Sequence, residues 1–312
     1  MKHDTLSTLL FSNAGCRAQI VRLEHAWEKI VAHHDLPKPV QQLLGELVAA
    51  SVLLSASLKF NGSLIIQLQG DGPVKLMVAE CNNHLGIRAT VKLSPKHKIS
   101  DAHTFKQLVN QHNKGLCVLV LDPHNRQPGQ QPYQGVVSLE GNNMAQALEA
   151  YMSHSEQLNT KIHLVSSAHT VAGLLIQQMP EHGGKTHKKN TVDPDGWNTV
   201  IALTETIQTD ELLQLAPQEV AYRLYHELEP EVLAERTPKF ECTCSRSKVS
   251  NMLLRLGEPE IKEALREQNH LDIHCEFCNA AYHFTEAQCL KLFEQHDLED
   301  FDAVGKKTRT LH

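Results

Sequence analysis

At 312 residues, with 41% hydrophobic and 21% charged side chains, the chain has the balance of an ordinary soluble protein and enough length for a sizeable core and more than one domain. A formal net charge of −6 argues against a general nucleic-acid binder or a protein held on anionic membranes, since both need Lys/Arg-rich surfaces to displace counterions. The start, MKHDTLSTLLFSNAG, lacks the apolar run of a signal peptide, no apolar stretch reaches the roughly 18 residues that span a bilayer, and eight cysteines, four of them clustered, suit a reducing compartment, so a cytoplasmic location is expected.

In chain order, Cys16 to Leu23 alternates polar and apolar positions and reads as a strand, followed by a helix over about 24–34. Pro37 and Pro39 break the chain, and Val40 to Leu58 reads as a long, almost wholly apolar helix. Glu46 interrupts it, which favours a buried core helix over a membrane anchor. Leu64 to Leu68 and Val74 to Val78 flank the turn Gly70-Asp71-Gly72-Pro73, where no helix start follows to complete a phosphate cradle. Ile87 to Leu93, Leu116 to Leu121 and Gly135 to Leu139 are further strands, with a loop from His124 to Pro132. Asn142 to Glu156 has helical spacing that puts Met144, Ala147, Leu148 and Tyr151 on one face; Ile162 to Val165 and Val171 to Met179 complete a mixed α+β domain over about 1–180.

The GKT at 184–186 looks like the end of a nucleotide-binding P-loop, but the motif's first glycine would fall on Met179 and the motif fails. His182 and His187 are read as part of a basic loop, and the chain's other histidines, being scattered, as surface or satisfied core residues. From Pro194 to Glu235 the composition turns helical and acidic, with acidic side chains at 210, 211, 219, 227, 229, 231 and 235 interleaved with Leu212, Leu213, Leu215, Val220, Leu224, Leu228, Val232 and Leu233. Helices cut short by Pro217 and Pro230 are marginal alone and need an apolar surface to dock on, so 181–239 is expected to be a metastable helical linker.

The last segment, 240–312, carries the chemistry. Cys242 and Cys244 form a CxC, Cys275 and Cys278 a CxxC, and thirty residues separate the pairs. Each pair can supply two corners of a tetrahedron, so the four thiols are expected to hold one zinc ion. A stretch of about sixty residues has too little core to be secure alone, and structural zinc contributes roughly 10–16 kcal/mol against a typical domain stability of roughly 5–15 kcal/mol, so losing the ion should unfold it. Zinc keeps the sulfurs ionised and therefore open to oxidants; the tight CxC points to redox chemistry as well as structure. Arg246 and Lys248 either offset the excess charge of four thiolates or are solvated surface. Cys289, on a helix read from Thr285 to Gln295, and Cys16, Cys81 and Cys117, in strand-like settings, are read as packing.

CTCSRSKVSNMLLRLGEPEI and HCEFCNAAYHF closely resemble the C-terminal zinc segment of the thirty-three-kilodalton redox-regulated chaperonin family, ATP-independent holdases activated by oxidative stress. QLQGDGPVKLMVAE (67–80), PYQGVVSL (132–139), YMSHSEQLNTKI (151–162), AGLLIQQMP (172–180) and EVAYRLYHE (219–227) carry the resemblance along nearly the whole chain, with departures at GIRAT (86–90) and the single Gly173. Oxidation of a thiolate to a sulfenic acid that condenses with its neighbour would give Cys242–Cys244 and Cys275–Cys278 bridges, and the resemblance implies the same pairing. It also implies a dimeric active form. The expected protein is a non-enzyme: a holdase that is off when reduced and zinc-bound, on when oxidised, and that grips unfolded client proteins. The expected fold is α+β, with a mixed-sheet N-terminal domain, a helical linker and a small zinc-binding domain.

Two other classes stay open on the residues alone. A zinc-ribbon module for nucleic acid or a protein partner is disfavoured by low aromatic content and acidic balance. A thiol-disulfide oxidoreductase using 275–278 would want its first thiol at a helix start after a βαβ strand, whereas His270 to His274 reads as a short strand.

Overall fold

Alternating apolar and polar side chains set the strands of the first unit of the chain, Met1–Glu241, in the computed structural model, which describes residues 4–126, 129–179 and 193–294. Its elements are β1 (Thr5–Phe11), β2 (Cys16–Leu23), α1 (His25–Val31), α2 (Lys38–Ser57), β3 (Gly62–Gln69), β4 (Val74–Asn82), β5 (Gly86–Leu93), α3 (Phe105–Val109), β6 (Leu116–Pro123) and β7 (Tyr133–Ser138). There follow α4 (Met144–His154), β8 (Thr160–Ser166), β9 (Val171–Gln178), α5 (Gly196–Thr204), α6 (Thr209–Gln214), α7 (Pro217–Tyr225), β10 (Glu231–Arg236) and β11 (Lys239–Phe240). A five-stranded antiparallel sheet runs β10-β1-β2-β9-β8 and a six-stranded sheet β11-β5-β4-β3-β6-β7, in which only β11 and β5 pair in parallel.

Helix α2 packs on strands of both sheets and is the centre of the main core. Pro39 lies in its first turn, where a missing N–H is no loss, so that proline starts the helix that was expected to begin after it. It is long and apolar enough to cross a membrane, but 67% of its most apolar window is buried in this core. Gly45 lets it approach β8 and β9, since a Cβ there would collide with Ser166 Oγ and Val171. Leu44, Leu47, Val48 and Leu53 meet Val21 and Leu23 of one sheet and Ile66, Met77 and Ala79 of the other.

The five-stranded sheet is covered on its second face too. Leu9, Phe11, Ala18, Ile20, Leu174 and Ile176 meet Val200 of α5, Leu212 of α6, and Val220, Leu224 and Tyr225 of α7. That is why VAGLLI of β9 is a continuous apolar run: both faces are buried. The acidic helices thus find the apolar surface that their sequence demands.

The reading of 194–235 as helical needs one correction. Glu231–Arg236 is a strand, with Val232 and Leu233 exposed at 59% and 50%. Pro230 cannot continue a helix, Glu229 turns the chain with φ 43°, and the free edge of β1 offers backbone partners, Leu6 to Arg236 and Leu10 to Glu231 among them. Strand β1 itself was not read from the sequence. Nor was the short β11; the other strands and α4 stand where periodicity places them, and the basic loop with His182 and His187 lies outside the described residues, as does Pro128.

The second unit, Cys242–His312, is small. Ser245 caps helix α8 (Arg246–Leu256) by accepting from the Lys248 N–H, and Gly257, at φ 94°, turns the chain into α9 (Glu258–Gln268), neither helix having been read from the sequence. Strands β12 (His270–His274) and β13 (Ala281–Thr285) form a hairpin, followed by helix α10 over 286–294. Among the described residues, the buried hydrophobic side chains here are Leu253, Ile261, Leu265, Phe284 and Cys289, a core of the size that usually needs a staple.

Candidate metal centre

Cys242 and Cys244 lie on the extended segment entering α8, and Cys275 and Cys278 on the turn joining β12 to β13. That turn is closed by the Cys275 N–H donating to Ala280 O (3.0 Å) and the Asn279 N–H donating to Cys275 O (2.8 Å), with Asn279 in the left-handed region at φ 54°. The fold brings all four sulfurs within 4.8 Å of one another. Cys242 Sγ is 3.7 Å from Cys275 Sγ, and Cys244 Sγ is 3.4 Å from Cys278 Sγ. These are not disulfide lengths. They match the edge of a tetrahedron with metal–sulfur bonds of about 2.3 Å, which is about 3.8 Å. Four soft thiolates in that arrangement fit zinc, so Cys242, Cys244, Cys275 and Cys278 would hold the ion and it would clamp the start of α8 to the hairpin.

Crowding splits the thiols. For Cys244, burial works upward, but hydrogen bonds from the Tyr282 hydroxyl and the neighbouring sulfurs outweigh it and bring the thiol down to about 7. Burial and the hydrogen bonds it donates to the other thiols push Cys278 up to about 12, and burial raises Cys242. A divalent ion would draw off the remaining protons.

The two cations flagged beside the cluster differ. Arg246 stacks over the Phe284 ring at 4.0 Å and donates to His283 O (2.9 Å) and Gln288 Oε1 (3.0 Å), tying α8 to the hairpin and α10; Lys248 is exposed. Cys289 is fully buried in the small core, and burial raises its thiol. Cys16, Cys81 and Cys117 are buried in strands, each pushed by burial up to about 12. The sequence reading missed Tyr282, whose one signal is an aromatic four residues after the CxxC. Cys275 follows a strand and opens a turn, without the helix N-terminus that activates the first thiol of oxidoreductases.

The family model described as Hsp33 protein matches residues 4–285. The chain belongs to the Hsp33 family. It is 43% identical to the 33 kDa chaperonin of Methylobacillus flagellatus over 93% of this chain and 94% of that one, and 40% identical to that of Chromobacterium violaceum over 99% and 98%. The 33 kDa chaperonin of Neisseria meningitidis is 40% identical over 97% and 93%. In fold it is similar to the crystal structure of the 33 kDa chaperonin of Thermotoga maritima, with a TM-score of 0.76 at 20% identity, over 94% of this chain and 99% of that one. Membership of the Hsp33 family thus agrees with the resemblance carried by the two cysteine pairs.

Proposed function

We propose that this Hsp33-family chain is an ATP-independent holdase chaperone, with no enzymatic activity, that is switched by oxidation. The observation that carries the reading is the convergence of four thiols from two short pairs in a unit whose own core is small. Reduced, the thiolates hold one zinc ion and the unit stays folded. A peroxide converts one thiolate to a sulfenic acid with loss of hydroxide; a second thiol displaces water from it to form a disulfide, and two peroxides consume all four thiols and free the ion.

Pairing matters to the switch. Bridges between sequence neighbours, Cys242–Cys244 and Cys275–Cys278, close minimal loops and leave the unit free to unfold. Bridges across the pairs, such as Cys242–Cys275, would close a loop of some thirty residues and stabilise the fold by about 3–4 kcal/mol. Activation through unfolding therefore requires the neighbour pairing. The linker, 181–239, runs into the first thiol through β11, and its release from the N-terminal domain, 1–180, would bare the apolar side chains of α5–α7 and the sheet face beneath them. Such surface holds unfolded clients in the cytoplasm and, in a dimer, doubles in extent.

Peroxide titration of the zinc-loaded chain tests this, following zinc release, peptide mapping of disulfides and suppression of light scattering by an aggregating client. Zinc release, neighbour disulfides and client protection should rise together. Equal protection by the reduced and oxidised forms overturns the switch.

A further inference from the structure

We infer that the β12–β13 hairpin carries a second divalent-cation site, made of His270, Asp272 and His283, apart from the four thiols. Asp272 and His283 are directly paired across the strands, and His270, two residues before Asp272, shares its face. One carboxylate is forked between two imidazoles: Asp272 Oδ1 lies 2.7 Å from His283 Nδ1, and Oδ2 lies 3.1 Å from His270 Nε2. The two rings sit 5.1 Å apart, inclined at 39°, and the three ligand atoms all fall within 4.8 Å of one another.

Two imidazoles and a carboxylate are the ligands of borderline divalent ions, Zn²⁺ foremost and Cu²⁺ and Ni²⁺ with it. Side chains that are 39%, 51% and 57% exposed leave the ion a way in and a coordination position for water. Binding replaces two N–H···O hydrogen bonds with three metal bonds; each imidazole ligates as a neutral ring, through a nitrogen free of its proton, with the other ring nitrogen carrying the N–H. With three protein ligands and an open position, the site should hold its ion more loosely than four thiolates do. Its position gives it a role: Asp272 is three residues before Cys275, so the ion would tie β12 to β13 without using sulfur and keep the hairpin paired when the thiols are oxidised.

The test uses the full-length, reduced chain without a histidine tag, loaded with one equivalent of zinc and then titrated with more by calorimetry, while the histidine ring resonances are followed by NMR. The wild type should take up a second, weaker equivalent that perturbs His270 and His283. The double variant His270→Ala, His283→Ala should lose that equivalent while keeping the first, and Asp272→Asn should weaken it at least tenfold. Retention of the first equivalent shows that the unit is still folded, and because the first reports the thiols and the second this hairpin, either can fail alone. No second uptake by the wild type, or the same uptake by the double variant, overturns the site.

Discussion

The hydroxyl of Tyr282 donates a hydrogen bond to Cys244 Sγ at 3.0 Å. It stabilises the thiolate and, with the bonds from the neighbouring sulfurs, outweighs burial and brings Cys244 down to about 7. Tyr282→Phe removes the donor and raises that thiol. At pH 7 the thiolate fraction falls about fivefold over the first unit of rise, partly offset by the greater nucleophilicity of a more basic thiolate. Alkylation of Cys244 in the metal-free, reduced chain should slow by about two- to fivefold, read by mass spectrometry; an unchanged rate would mean that the bond contributes nothing.

Thiol accessibility should sort the eight cysteines into three groups. Cys16, Cys81 and Cys117 are buried and protonated, and should resist alkylation until the first unit unfolds. The four clustered sulfurs should react once zinc is chelated. Cys289 is buried in the small core, so its labelling reports unfolding of that unit, and it should become reactive together with zinc loss. If Cys289 stays protected after chelation, the metal is not what holds the unit together.

Glu46 sits in the otherwise apolar α2, and burial raises its carboxyl from 4.5 to about 7. A raised native pKa means that the protonated form is favoured by folding, so this contribution is fully present below about pH 4.5 and is lost as pH climbs through 7. Glu46→Gln stays neutral throughout. Its urea midpoint should therefore match the wild type near pH 4 and exceed it at pH 8 by the equivalent of about 1–3 kcal/mol, followed by Trp fluorescence. An equal pH slope in both proteins would exclude Glu46 as the source.

Tyr225 fastens α7 to the sheet. Its ring meets Phe11 edge-on at 5.0 Å, and its hydroxyl shares a buried 2.6 Å hydrogen bond with Thr204 of α5. Tyr225→Ala should cost about 3–5 kcal/mol, concentrated in α5–α7, and raise amide exchange there well before the six-stranded sheet is affected. On the proposed mechanism this variant also protects clients without oxidation. Activity still confined to the oxidised form would separate the linker from the switch.

Periodicity carried much of the fold. The strands from Cys16 to Gln178, the apolar α2 and the face of α4 bearing Met144, Ala147, Leu148 and Tyr151 could be read because each buries one face or both. Glu231–Arg236 could not: Val232 and Leu233 look like helix-face residues, and only the edge of β1, more than two hundred residues away, makes the segment a strand. Cys242, Cys244, Cys275 and Cys278 were legible because paired spacing survives without structure. The trio of His270, Asp272 and His283 was not, because hairpin register sets it, and Tyr282 was not, because its partner Cys244 lies thirty-eight residues away on a segment outside the hairpin.

The pairing of β10 with β1 has a last consequence. β1 is flanked on its other side by β2, so β10 is what keeps a row of its amide and carbonyl groups satisfied. Should β10 peel away with the helices that precede it, the chain would present a raw sheet margin beside an oily surface. An extended stretch of another polypeptide could then be held by main-chain pairing, indifferent to its sequence, which is what a protein meeting many different misfolded chains requires.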